Sequence, residues 1–177
     1  LAFAADLTVW RKLARFKEDR GFQMMWEIMP SGVSPEIYPK VREISSMVEM
    51  FSLNCKEASQ LLEIPREDDE RIIRELMKLK FQMIFYQVGK RGAYVVTPTD
   101  AVFCPAIDAP ATVDPTGCGN CSTGAAMYAW AEGCSPKQTA VMANVAAGLS
   151  AAQYGPIPLI DGAMMNKAAE LTEEYLK

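Results

Sequence analysis

Three short apolar runs, FQMMWEIM (22–29), MVEMFSLN (47–54) and FQMIFYQV (81–88), recur between helix-length amphipathic stretches. Each run is short for a buried helix and about right for a strand covered on both faces, where apolar residues continue without alternating. The stretches between them carry helical signals. Thr8 to Arg20 sets Val9, Leu13 and Phe16 on one side and ends at Gly21, while Ser34-Pro35-Glu36 offers a cap and a first-turn proline. Cys55 to Leu62 reads as a short helix stopped by Pro65, and Glu67 to Lys80 as a charged amphipathic one. Strands that alternate with helices need right-handed crossovers and therefore run parallel. The expected class is α/β, a mainly parallel sheet flanked by helices.

The pattern changes after the third run. Gly89-Lys90-Arg91-Gly92 makes a tight turn into AYVVT (93–97), and AVFCPAI (101–107) follows as a further strand, so a hairpin-like edge is expected. A glycine-rich loop then leads to a helix expected from Cys121 to Glu132. Ser135-Pro136 starts another, running to Gln153, and Gly155-Pro156 breaks it before a last helix from Gly162 to Leu176. The 177 residues are enough for one domain, 1–177, with a sizeable core.

Composition removes several chemistries. The chain contains no histidine, which excludes histidine general bases, Ser-His triads and histidine-containing metal sites. A formal charge of -4 disfavours nucleic acid or an anionic membrane as a partner. No apolar run approaches the ~20 residues that cross a bilayer. Five cysteines, an odd number spread through apolar segments, fit reduced thiols in the cytoplasm better than a disulfide framework. The sequence starts without Met and runs straight into a helical pattern, so a piece of a longer protein is expected.

The loop DPTGCGNC (114–121) has two competing chemistries. Cys118 and Cys121 form a C-x-x-C pair at a helix start, where the helix dipole lowers a thiol pKa, as in a dithiol redox centre. Alternatively, Gly117 and Gly119 let the backbone turn and a ligand approach closely, with amides from Gly117 to Asn120 converging at the positive end of the helix. That arrangement stabilises an anion such as a phosphoryl group. Glycines also punctuate strand-to-helix turns without any ligand, and most free cysteines are simply small buried hydrophobes.

Four segments in order resemble the ribokinase-like, or phosphofructokinase B, family of carbohydrate kinases. VDPTGCGNCSTG is similar to that family's Asp-Thr-x-Gly-Ala-Gly-Asp signature, and FSLNCKEASQLL to its Asn-x-x-Glu-Ala segment. QVGKRGAYV resembles its Gly-x-x-Gly hairpin along ATP, and AVMANVAAGLSAAQYG the helix beside its adenine pocket. The resemblance covers the later three-fifths of such a kinase. It implies that the chain is the C-terminal, nucleotide-binding portion, without the N-terminal substrate and lid portion. It also implies a homo-oligomer, or a missing N-terminal piece that covers exposed surface.

The resemblance implies ATP and Mg²⁺ as cofactors and a sugar or nucleoside-like small molecule as substrate. Asn54 and Glu57 would organise Mg²⁺ through water, Gly89 and Gly92 would border the nucleotide, and Gly117, Cys118 and Gly119 would form the anion hole. Asn144 and Ala147 would lie near the adenine. Asn54 and Glu57 also read as a helix cap with its capping-box partner, which needs no metal. The family's catalytic base corresponds to Asn120, whose amide cannot take a proton, so general-base assistance of roughly 10²–10⁴-fold is expected to be missing. Asp114 is a candidate substitute carboxylate. Two functions stay open: a kinase acting on a hydroxyl group, or a kinase-fold protein that binds nucleotide or sugar without turnover.

Overall fold

The computed structural model describes residues 4–107, 111–156 and 159–177. They form two compact units, Leu1–Gln87 with Val96–Ala101, and Val88–Val95 with Val102–Lys177.

The first unit opens with α1 (Leu7–Arg20), capped by Asp6, whose carboxylate accepts from the Thr8 and Val9 amides, and closed by Gly21 in the left-handed region. Three strands follow, β1 (Met25–Glu27), β2 (Met50–Asn54) and β3 (Met83–Gln87), separated by α2 (Tyr38–Ile44), α3 (Cys55–Leu62) and α4 (Asp69–Leu76). The strands are parallel, with Trp26 opposite Phe51 and Phe51 opposite Ile84. In β2 and β3 every residue but the last is buried, as a strand covered on both faces requires.

An aromatic row ties this unit together. The Trp10 ring lies 5.1 Å from Trp26, Trp26 lies 5.0 Å from Phe51, and Phe51 stacks on Phe81 at 4.7 Å. Aromatic contacts of this kind add about 0.5–1.5 kcal/mol each beyond their burial. Below the row, Lys17 Nζ donates to Met47 O at 2.9 Å and to the Glu49 carboxylate, whose other oxygen accepts from the Met24 amide at 2.9 Å. This mostly buried pair fastens α1 to the starts of β1 and β2.

The second unit begins with the hairpin of β4 (Gly92–Val96) and β5 (Ala101–Pro105), whose tip, 96–101, belongs to the first. The strands are antiparallel: the Thr97 amide bonds Asp100 O at one end and the Ala106 amide bonds Arg91 O at the other. The strand set as a whole is therefore mixed. Three helices follow, α5 (Cys118–Ala131), α6 (Pro136–Ala151) and α7 (Gly162–Leu176). Small residues let α5 and α6 approach closely, with Ala126, Ala129, Ala140 and Ala143 fully buried. Among the described residues no helix is long and apolar enough to cross a membrane.

Several boundaries differ from the sequence expectation. The first run, 22–29, gives a strand only at Met25–Glu27, and the Met24 amide turns to the Glu49 side chain instead of a neighbouring strand. The helix expected at Ser34 is preceded by 3₁₀ turns at Pro30–Gly32 and Pro35–Ile37, and Ser34 makes no cap bond. The Glu67–Lys80 helix shortens to Asp69–Leu76 because Asp68 takes the cap. Most consequential, α5 starts at Cys118, three residues before the expected Cys121.

Candidate functional site

In the first unit, Asn54 ends β2 and caps α3. Its Oδ1 accepts from the Lys56 and Glu57 amides, both at 3.0 Å, and Glu57 Oε2 accepts from the Asn54 amide at 2.8 Å. The capping box read from the sequence is thus formed. The buried Glu57 carboxyl is not electrostatically at rest. Burial pushes its pKa above the ordinary value, against the Asn54 amide, and the negative charge of Glu27 adds to the rise.

Glu27 closes β1, directly opposite Ser52 on β2, so it joins Asn54 and Glu57 at the carboxyl end of the parallel strands. Sequence reasoning missed Glu27. The signal was there, a lone acid within FQMMWEIM, but only the strand register shows which end of the sheet it occupies. The negative charge of Glu27 adds to the rise at Glu57, and a cation beside Glu57 would oppose it. Among the described residues no group of three or more Asp, Glu, Cys or His surrounds a point. Asn54, Glu57 and Glu27 offer oxygen donors, the kind that Mg²⁺ takes.

In the second unit, the glycine-rich loop and the helices after it bring Asp114, Gly117, Cys118, Gly119 and Asn120 together. Gly117 is the N-cap of α5 with φ +86°, and no side chain caps that helix. By contrast, Asp6, Asn54, Asp68, Ser135 and Asp161 cap α1, α3, α4, α6 and α7. Cys118, Gly119 and Asn120 make up the first turn of α5, where amides have no partner within the helix. The Cys118 amide is engaged by the loop itself and donates to Pro115 O at 3.2 Å. Asn120 is exposed.

Asp114 serves as a clamp. Its Oδ1 accepts from the Thr116 amide at 2.9 Å and its Oδ2 from the Gly155 amide at 3.0 Å, which fastens the loop to the turn after α6. Hydrogen bonds from Thr116, then Gly155, hold its carboxyl below the ordinary range. A carboxylate so held is a weak proton acceptor.

The two thiols of the C-x-x-C pair are not activated. Burial pushes both Cys118 and Cys121 above their ordinary value, opposed by smaller contributions that include Ser150. Desolvation outweighs the helix dipole here, contrary to the dipole-lowered thiol that the redox reading requires. All five cysteines are free.

Gly92 has φ +125°, and a Cβ there would sit 2.1 Å from Cys104 O, so the hairpin itself demands glycine. Gly89, at φ +62°, is exposed, with open space beside it. Asn144 is buried on α6, its Nδ2 donating to Ala140 O at 3.0 Å and Cys104 O at 3.3 Å, which ties α6 to β5. Ala147, one turn on, is half-buried. A cavity of about 340 Å³ opens past the end of α6, lined by Leu149, Ala152, Leu159, Met164 and Lys167 among others, and none of the expected site residues lines it.

The sequence pattern of the pfkB family carbohydrate kinases matches residues 5–161. No curated protein sequence matches the chain. Among solved structures, it is similar to an adenosine kinase from Sinorhizobium meliloti, 24% identical with a TM-score of 0.74, over 91% of this chain and 49% of that one. It is also similar to Arabidopsis thaliana ribokinase complexed with ribose and ATP, at 20% identity and a TM-score of 0.75, over 93% and 52%. A third, an E. coli protein described as a ribokinase II in complex with ATP and Mg²⁺, is 18% identical with a TM-score of 0.67, over 97% and 53%. At these identities the likeness is one of fold, and the chain spans about half the length of each of these structures. The expected α/β class is therefore correct, and its ribokinase-like form is shared with solved kinases. With the family pattern spanning most of its length, the chain belongs to the pfkB family carbohydrate kinases.

Proposed function

We propose that the protein binds ATP with Mg²⁺ and directs phosphoryl transfer to a hydroxyl group of a sugar or nucleoside-like molecule. The observation that carries this is the bare start of α5: a 14-residue helix whose N-cap is a glycine at φ +86° with no capping side chain. The positive end of such a helix stabilises phosphate. Gly117, Cys118 and Gly119 supply the backbone for it, with the Cys118 amide exchanging the Pro115 carbonyl for a phosphate oxygen. Asn54 and Glu57 would hold Mg²⁺ through water, with the negative charge of Glu27 acting on Glu57. Bound Mg²⁺ supplies charge neutralisation at the phosphate oxygens. Gly89 and Gly92 border the nucleotide, and Asn144 and Ala147 line the side of its base. The chain is the nucleotide-binding portion of the kinase, and the sugar contacts come from outside it.

Asn120 sits exposed in the first turn of α5, next in sequence to Gly117, Cys118 and Gly119. It accepts a hydrogen bond from the substrate hydroxyl and orients it, but removes no proton. Phosphoryl transfer has a loose transition state, so positioning and electrostatics still support turnover at a reduced rate. The same residue supports a second reading, a kinase-fold protein that binds nucleotide or sugar as a sensor or partner subunit. Asp114, held ionised in its clamp, does not replace the base.

Phosphate transfer by the parent and by Asn120→Asp, over a panel of sugars and nucleosides, tests this. The kinase reading expects slow transfer by the parent and a gain of roughly 10²-fold or more in the variant. Binding without transfer by either protein favours the sensor reading. No gain with a substrate that binds overturns the missing-base account.

A further inference from the structure

The C-x-x-C pair is left over by the nucleotide reading, and its surroundings give it a chemistry of its own. Cys118 is the first residue of α5 and Cys121 lies one turn on, so both side chains emerge on the same side of the helix. Both are half-buried and free. The Cys121 thiol donates to Ala146 O on α6 at 3.6 Å. Facing both thiols from α6 is Ser150, 1% exposed, whose hydroxyl acts on each of them yet has no hydrogen bond of ordinary geometry. Two thiols and an unsatisfied buried hydroxyl thus converge on one small space between α5 and α6.

We propose that Cys118 and Cys121 form a modification site, a dithiol that closes to an intramolecular disulfide by exchange with small-molecule disulfides. The proposal does not depend on the nucleotide reading. Cys121 is tied to Ala146 O, so Cys118 reacts first. Its thiolate attacks one sulfur of the small disulfide, forms a mixed disulfide and expels one small thiolate. The Cys121 thiolate then attacks the Cys118 sulfur, closing the ring and expelling the second. Two electrons and two protons pass from the protein to the small disulfide, giving two small thiols. Burial keeps the thiolate fraction low at neutral pH, so closure is slow and speeds up with rising pH. The ring encloses Gly119 and Asn120.

Incubating the native protein in glutathione buffers, from fully reduced to fully oxidised, and then blocking free thiols with an alkylating reagent tests this by peptide mass mapping. In the oxidised buffer, Cys118 and Cys121 should lose alkylation together, through a bond within one chain, while Cys55, Cys104 and Cys134 stay alkylated. Cys121→Ser should instead keep glutathione on Cys118, because nothing resolves the mixed disulfide; Cys118→Ser should leave Cys121 largely alkylated. Continued alkylation of both residues in the oxidised buffer would overturn the proposal. A stable glutathione adduct on the unaltered protein would overturn it too, as would a disulfide linking either residue to another cysteine.

Discussion

Gly117 lies against Pro156 so closely that a Cβ on Gly117 would sit 2.8 Å from Pro156 Cα and 2.9 Å from Pro156 O. Two bonds to Asp114 support the same junction, for its carboxylate ties the Thr116 amide to the Gly155 amide. The start of α5 is thus built from backbone and a clamp, and no side chain of the N-cap residue caps it.

Gly117→Ala should lower stability by about 1–3 kcal/mol, because the left-handed φ and the contact with Pro156 both penalise a Cβ. The same change at Gly124, in the exposed interior of α5 with open space around it, should raise stability by roughly 0.5–1 kcal/mol. Urea unfolding of both variants checks the contrast. Equal effects would mean that the junction is not strained as described.

Glu57→Gln should make the protein more stable at neutral pH. The folded carboxyl has a pKa above its ordinary 4.5, so the folded state holds the proton more tightly than the unfolded state. Unfolding free energy contributed by this group therefore falls as pH rises above 4.5, and the penalty is fully present only above the folded value. Glutamine keeps an oxygen for the Asn54 amide and removes the charge. Thermal unfolding from acid to neutral pH should show the variant losing this slope, and also losing stabilisation by Mg²⁺ with ATP. A variant that unfolds earlier at neutral pH would contradict this account of Glu57.

Glu49→Ala should cost on the order of 3 kcal/mol, since it leaves the Lys17 charge with the Met47 carbonyl but no counter-charge and removes the acceptor of the Met24 amide. Glu49→Gln should cost less, because it keeps that acceptor. Both losses should change little with added salt, as the pair is mostly buried. Denaturant titrations at low and high salt measure it.

The order of elements was legible because the three apolar runs have no helical face to offer, and their burial in β2 and β3 follows directly. The Asn54-Glu57 capping box was legible for the same local reason, since both bonds form within four residues. The start of α5 was not. A cap made by Gly117 in a left-handed conformation leaves no Ser, Thr, Asp or Asn to announce it, so the sequence signals place the helix start at Cys121. Nor was the role of Asp114, which depends on Gly155 some forty residues away, or of Glu27, which depends on strand register. Local chemistry was readable; the partners brought in by tertiary contact were not.

Calorimetric titration of the protein with ATP and with adenosine, both with Mg²⁺ present, tests most directly whether the bare start of α5 holds nucleotide phosphate. A saturable heat with ATP, and affinity at least about tenfold above that for adenosine, is the expected result, since tenfold corresponds to about 1.4 kcal/mol from phosphate contacts. No heat at millimolar ATP, or equal affinity for the two ligands, would contradict it.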